Sequence, residues 1–393
     1  MGSKRSVFTI ASRVPLRWVP LAGVGLTLVA LLGCGTAIAR DEGGGEPWVR
    51  VLLYEGSDPV RVGSVRSPVE VRLGPGGVLL VDGTPRAREW VPDGPGPWRV
   101  GSRNVHGGII VRARDGRIRV LNRVALEDYV ASTVGGEMSS SWPTEALRAQ
   151  AVATRTYVLH EAAKRKSRSW DVRATAVSQV YRGIEAETPQ TRAAARSTVG
   201  EILVHDGQPI LAVFHSTAGG RTATAAEVWG RDLPYLRVVE VEDEDDAPHT
   251  YWRVEFEREA LRGLVESAGL SSGVLEGLSV VGRTASGRVE RLRVRGAAED
   301  VEVEGARLRS LLGGIGLRST LFEIRQTERG FAFVGSGHGH GVGMSQWGAR
   351  AMARRGASYQ RILARFYSGA RLDKRGARRV AARGPASTGG GRD

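Results

Sequence analysis

A chain of 393 residues, 41% apolar and 25% charged, can bury a sizeable core, and its length allows about two to three domains rather than a disordered tail or a short peptide. The formal net charge of +14 favours anionic partners such as teichoic acid, peptidoglycan carboxylates or a lipid surface. Nucleic acid is set aside, because the only lysines are Lys4, Lys164, Lys166 and Lys374 and the arginines are spread along the chain instead of forming a stripe with aromatic partners.

The chain opens with Lys4, Arg5, Arg13 and Arg17 ahead of an apolar run over residues 18–33, the pattern of an export signal. The run also reaches the lower limit for a membrane span, roughly 17 residues, so an uncleaved anchor is the alternative. Two cleavage sites compete. Leu31-Leu32-Gly33-Cys34 has the form of a lipoprotein signal in which Cys34 carries the lipid, whereas Ala37-Ile38-Ala39 suits ordinary signal peptidase. Leucine departs from the small residue preferred before Gly-Cys. Cys34 is nevertheless the only cysteine, so no disulfide forms within the chain, and it stands where a lipid would be attached. The balance favours lipidation, and on every reading the protein is exported to the cell envelope, held at the membrane by signal or lipid.

Residues 40–47 form a Gly-rich, flexible spacer. Residues 48–123 read as a β-rich region, with short runs such as Val69-Glu70-Val71-Arg72-Leu73 and a hairpin turn at Asp115-Gly116. Residues 124–372 read as a mixed core, which makes the whole an α+β fold. Its strongest element is a helix from Pro143 to about Lys164, with proline at the first turn and Leu147, Ala151, Thr154 and Val158 at three- and four-residue spacing. A β stretch near 179–181, a helix near 188–199 and strands near 202–204 and 210–214 follow. Residues 240–246 hold six carboxylates in seven positions, the pattern of a solvated loop. A helix at 258–268 and β segments near 278–281 and 289–294 precede a glycine-rich loop at 335–343, which opens helices at 345–354 and 359–367. Residues 373–393 read as a disordered basic tail.

Two segments combine tight turns, helix starts and residues able to handle protons. One is Leu126-Glu127-Asp128-Tyr129-Val130 with Gly135-Gly136-Glu137-Met138 and Trp142-Pro143. The other is Gly337-His338-Gly339-His340-Gly341-Val342-Gly343-Met344-Ser345-Gln346-Trp347-Gly348. A glutamate placed between a Gly-Gly turn and a helix can sit at a cleft floor and protonate a leaving oxygen. His215-Ser216-Thr217 stands at a strand-to-turn transition before Gly219-Gly220; no G-x-S-x-G elbow surrounds Ser216, so polar substrate contacts are expected there and not a hydrolase triad. Arg155 and Tyr157, on the long helix, are open between substrate binding and plain helix packing with a snorkelled charge.

These blocks, in this order, resemble the stage II sporulation protein D (SpoIID)/LytB amidase-enhancer family, and the resemblance spans about residues 49–372. It implies two alternative activities. One is lytic transglycosylase cleavage of peptidoglycan glycan strands, with Glu137 matching the family's acid/base. The other is noncatalytic glycan binding that enhances a cell-wall amidase. The implied substrate contacts fall on Arg155, Tyr157, Gln179, His215, Ser216, Thr217, His340, Ser345 and Gln346. One carboxylate suffices for the lytic reaction, because the muramoyl 6-hydroxyl attacks in place of water; Glu127 and Asp128 are expected to cap or orient the loop. Some family members carry a metal in a Cys-Ala-Thr-x-His-Cys-Gln-Val-Tyr-like segment. Arg173, Val177 and Ser178 stand at the ligand positions of that segment here, so no metal and no other cofactor is expected.

If Cys34 is lipidated, Cys34→Ala should shift the protein from the membrane fraction to the soluble fraction with its fold unchanged, since one acylated cysteine carries the anchor. Unaltered fractionation of that variant, or a mature N-terminus at Arg40, would rule the lipid out.

Overall fold

The computed structural model describes residues 47–164, 168–242, 244–267, 273–313 and 316–374. The export signal, Cys34, most of the spacer and the tail beyond Lys374 lie outside the described residues.

The β-rich opening forms as its alternation requires. In the strand Gly108–Arg114, Ile109, Val111 and Ala113 are buried while their neighbours face outward, and the strand pairs in antiparallel register with Arg117–Ala125. Asp115 and Gly116 make the turn between them at φ 54° and 67°, the left-handed pair that a tight hairpin needs. Arg117–Ala125 pairs in turn with Trp48–Gly56 at the heart of a five-stranded sheet. A six-stranded sheet, running from Thr84–Arg86 to Arg103–Val105, packs beside it through Val62, Val71 and Leu79.

Three helices cover this base: α1 (Leu126–Glu137), α2 (Thr144–Lys164) and α3 (Pro189–Ser197). The long helix begins one residue after the proline that predicts it. Its small residues Ala146, Ala149, Ala151 and Ala153 are buried, which lets α2 run through the middle of the core. Arg155, expected among the substrate contacts, lies in that core with no exposed surface. Its guanidinium donates to Glu127 Oε1 and Oε2 at 2.8 and 2.5 Å and to the carbonyls of Ala195 and Glu201, tying α1, α2 and α3 together. That is the packed-helix reading. Glu127 serves this ion pair instead of a loop cap.

Other expectations also shift. Gly135-Gly136 is no turn, because both glycines continue α1 to its end. Residues 179–181 and 210–213 join no sheet, and their backbone turns tightly, the Tyr181, Ala212 and Val213 N–H groups each donating to the carbonyl two residues back. The acidic run is not wholly solvated, since Glu244 within it is buried. Asp373, assigned to the tail, ends a strand, Arg371–Asp373, that pairs with Ile202–His205.

After the short helix α4 (Ala225–Trp229), residues 252–333 build a second apolar cluster around Trp252, Phe256, Phe322, Phe331 and Phe333. It comprises two three-stranded sheets with α5 (Arg258–Ser267) and α6 (Gly305–Leu312). Its strand Gly330–Ser336 leads straight into the glycine-rich loop, and Trp252 Nε1 donates to the Gly337 carbonyl at 2.9 Å. The loop is thereby anchored on this second cluster before the chain returns through α7 (Gln346–Arg354) and α8 (Tyr359–Phe366) to the first.

Removing the cation while leaving its buried partners costs about 3–5 kcal/mol in comparable settings. Arg155→Met should therefore lower the unfolding free energy by about 3 kcal/mol in denaturant titration. A loss within experimental error would mean that the ion pair does not hold the helices together.

Candidate active site

The site begins with the last turn of α1. A β-carbon on Gly135 would lie 1.9 Å from the Ala186 carbonyl oxygen, and one on Gly136 2.2 Å from that of Val180. Only glycine lets the helix press against this segment. The contact sets Glu137, the last residue of α1, beside Val180, whose N–H donates to Glu137 Oε1 at 2.7 Å. Burial raises the Glu137 pKa; the Val180 N–H, the Gln346 side chain and the charge of Arg182 only partly oppose it.

Glu137 lines a cavity of about 500 Å³. Tyr157 and Glu161, four apart on one face of α2, form another part of its wall, and His215, Ser216, His338, His340 and Gln346 face them. The strand Phe214–His215 pairs in parallel with Met344–Ser345, and Thr217 exchanges two backbone hydrogen bonds with His338. These contacts bring together two loops more than a hundred residues apart. Glu244 locks them: its carboxylate accepts the Ala218 N–H at 2.9 Å, the Gly219 N–H at 2.9 Å and the Ser345 hydroxyl.

The histidines are neutral hydrogen-bonding groups. His215 Nδ1 lies 3.1 Å from the Val342 carbonyl and must donate to it, which leaves Nε2 as an acceptor with no partner among the described residues. Burial holds its pKa well below the usual imidazole range. Burial likewise pushes His338 down to about 4 and His340 to about 3, with nearby arginines adding to both. His340 Nδ1 accepts the Val342 N–H at 3.0 Å.

Of the expected contacts, Glu137, Tyr157, His215, Ser216, His340 and Gln346 therefore share one cavity. Four others do not reach it. Arg155 is in the helical core; Gln179 is buried and accepts the Tyr129 hydroxyl at 2.7 Å; Thr217 is buried within the turn; and Ser345 caps α7 from a fully buried position. Glu161, Trp229 and Arg309 also line the cavity, unforeseen from the sequence. Only Glu161 had a signal, its helical spacing from Tyr157.

A family model described as stage II sporulation protein matches residues 114–205, and one described as a domain of unknown function, DUF8618, matches residues 224–343. An uncharacterized protein of Brachyspira hyodysenteriae is 32% identical over 251 residues, covering 64% of this chain and 67% of that protein. Stage II sporulation protein D of Bacillus subtilis is 29% identical over 274 residues, 65% of this chain and 76% of that one. The chain belongs to the SpoIID/LytB family. An amidase enhancer of Bacillus subtilis is 28% identical over 285 residues, 61% of this chain but 39% of that protein. The SpoIID match carries Glu137, Tyr157 and Glu161, while the second match carries Trp229, Arg309, His338 and His340, so the cavity is lined from both.

The metal found in some SpoIID/LytB proteins does not fit the corresponding residues. Arg173 donates to Glu55 at 2.9 Å, Val177 is 81% exposed, and Ser178 Oγ accepts the Arg173 N–H. A guanidinium and a valine offer no ligand atom.

A carboxyl whose folded pKa is raised stabilises the fold below its unfolded pKa and loses that contribution as pH rises through the folded value. Glu137→Gln removes the buried charge. It should raise the melting temperature at pH 7 and leave it nearly unchanged near pH 3.5, where wild-type Glu137 is already protonated. Equal shifts at both pH values would show that the carboxyl is not strained by burial.

Proposed function

We propose that the protein works in the cell envelope on peptidoglycan, as a lytic transglycosylase that cleaves glycan strands with Glu137 as its acid/base. The observation that carries this reading is a carboxyl of raised pKa, held by one backbone N–H, on the wall of a cavity large enough for sugar rings. Burial shifts the Glu137 carboxyl toward its protonated form, the form from which a general acid acts.

In the reaction, protonated Glu137 gives its proton to the glycosidic oxygen as the bond to the muramoyl C1 breaks. The same residue's 6-hydroxyl then bonds to C1 and returns its proton to the Glu137 carboxylate, leaving a 1,6-anhydro end and the restored acid. Tyr157, Ser216 and the bare Nε2 of His215 offer a ring face and hydrogen bonds for sugar hydroxyls. Similarity to an amidase enhancer supports a second reading, in which the same cavity binds glycan and stimulates a partner amidase without cleavage. Residue Glu161, a second carboxylate on the wall, makes net hydrolysis by water the alternative outcome for the chemistry.

Purified strands digested by the protein should yield 1,6-anhydromuramoyl ends by mass spectrometry. Glu137→Gln should cleave roughly 10²-fold more slowly or worse while still binding strands. Reducing ends would point to water and Glu161. Normal cleavage by the variant would refute the assignment of Glu137, and a wild type that only accelerates an amidase would establish the noncatalytic role.

A further inference from the structure

A larger cavity, of about 930 Å³, adjoins the Glu137 cavity, and Trp229, Arg309, His338 and His340 line both. Its back wall holds Arg288, which is only 2% exposed. The Nη2 of Arg288 donates to the carbonyls of Ala218 and Arg221 at 2.9 and 3.1 Å, while Nε and Nη1 have no partner among the described residues. Gly341 is shaped to this side chain. A β-carbon there would come within 2.3 Å of the guanidinium, and its φ of 78° disfavours any other residue.

Unpaired N–H groups on a buried cation are costly, and an anion that accepts from them offsets that cost and the charge together. Glu227, the carboxylate whose charge acts most on Arg288, is turned to Ser286, accepting both its N–H and its hydroxyl. Arg309 and Arg318 also line the chamber, and among the described residues neither side chain forms an ion pair or hydrogen bond. Two further carboxylates, Glu290 and Glu304, stand on the same wall but are exposed, and Arg291 is taken by Glu302 at 3.2 Å. The chamber thus keeps three arginines available beside a groove that already reaches the proposed acid.

We propose that this chamber is an anion subsite in which Arg309, Arg318 and the buried Arg288 bind a carboxylate borne by the glycan strand. Planar guanidinium groups match carboxylates in geometry, and the neighbouring neutral histidines neither compete for the anion nor repel the strand. Two sources present this chemistry: the lactyl carboxylate of a bare muramoyl residue and the carboxylates of an attached stem peptide. The inference rests on the glycan reading above.

Binding of the full-length protein would be measured by calorimetry against bare disaccharide-repeat oligomers with free lactyl carboxylates, the same oligomers with those groups converted to amides, and peptide-bearing strands. The acid form should bind about tenfold tighter or more than the amide form, the ratio expected of a charge-assisted hydrogen bond. Arg318→Gln should shrink that ratio while leaving amide binding unchanged, and Arg309→Gln should shrink it as well; neither side chain is fully buried, which spares the fold. Arg288→Gln is the harsher variant and is read only if its melting curve matches the wild type. Peptide-bearing strands binding tighter than the bare acid would assign the subsite to the stem peptide, and equal or weaker binding to the lactyl group. Equal affinity for acid and amide would overturn the subsite yet leave glycan binding intact, whereas failure of every oligomer to bind would overturn the glycan reading and the subsite with it.

Discussion

The close approach of the C-terminal turn of α1 to the backbone of residues 180–186 governs the placement of everything else in the site. Carbonyl oxygens stand 1.9 and 2.2 Å from where the β-carbons of residues 135 and 136 would be, so the helix can end there only on two glycines. Glycine weakens a helix interior by about 1 kcal/mol relative to alanine, and two in succession lower the helix's own stability. The surrounding packing offsets this. The buried Arg155–Glu127 pair holds the first turn of α1 against α2 and α3, while the last turn is spent on proximity. The result is a carboxyl aimed at a backbone N–H in a largely desolvated place, which is what raises its pKa.

A second buried carboxylate does the opposite work. Glu244 collects two backbone N–H groups and the Ser345 hydroxyl, so its carboxylate is used up in joining the two loops. It fixes the His215 turn to the glycine-rich loop, so the histidines reach the cavity from a rigid double-loop platform and not from a mobile rim. Glu137 receives the Val180 N–H and the Gln346 side chain and still faces the cavity, whereas Glu244 receives two backbone N–H groups and a hydroxyl and serves the architecture.

The sequence made the skeleton legible where local pattern decides structure. The alternating strands of the opening region and the three- and four-residue spacing along α2 announce themselves through pattern, whereas Ser345, expected at the substrate, turns out to cap α7. Glu137 was legible through its motif, although the Gly-Gly pair before it was misread, because glycines that permit close packing and glycines that make a turn look alike in one dimension. Arg155 was undecidable for a similar reason: helical spacing gives the face of an arginine but not what waits opposite, and Glu127 lies 28 positions away. Nothing in the run of six carboxylates marks Glu244 as the one that folds inward. Trp229, Arg288 and Arg309 had no signal, since they meet the groove only after the second apolar cluster closes against the loops.

The charges of the groove are segregated, and that segregation bears on how one fold can hold both an acid and a cation cluster. A nearby arginine lowers a carboxyl's pKa, so Arg288, Arg309 and Arg318 close to Glu137 would undo the effect of burial. Among the described residues, Arg182 is the cation that acts on Glu137. The arginines of the larger chamber act instead on His338 and His340, which stand between and are held neutral by them and by burial. The imidazoles form an uncharged partition, and Arg309 lines the cavities on both sides of it. On the proposed reading, a strand crossing that partition would meet the Glu137 carboxyl on one side and fixed positive charge on the other, so an asymmetric charge pattern along the strand would fix its direction through the groove.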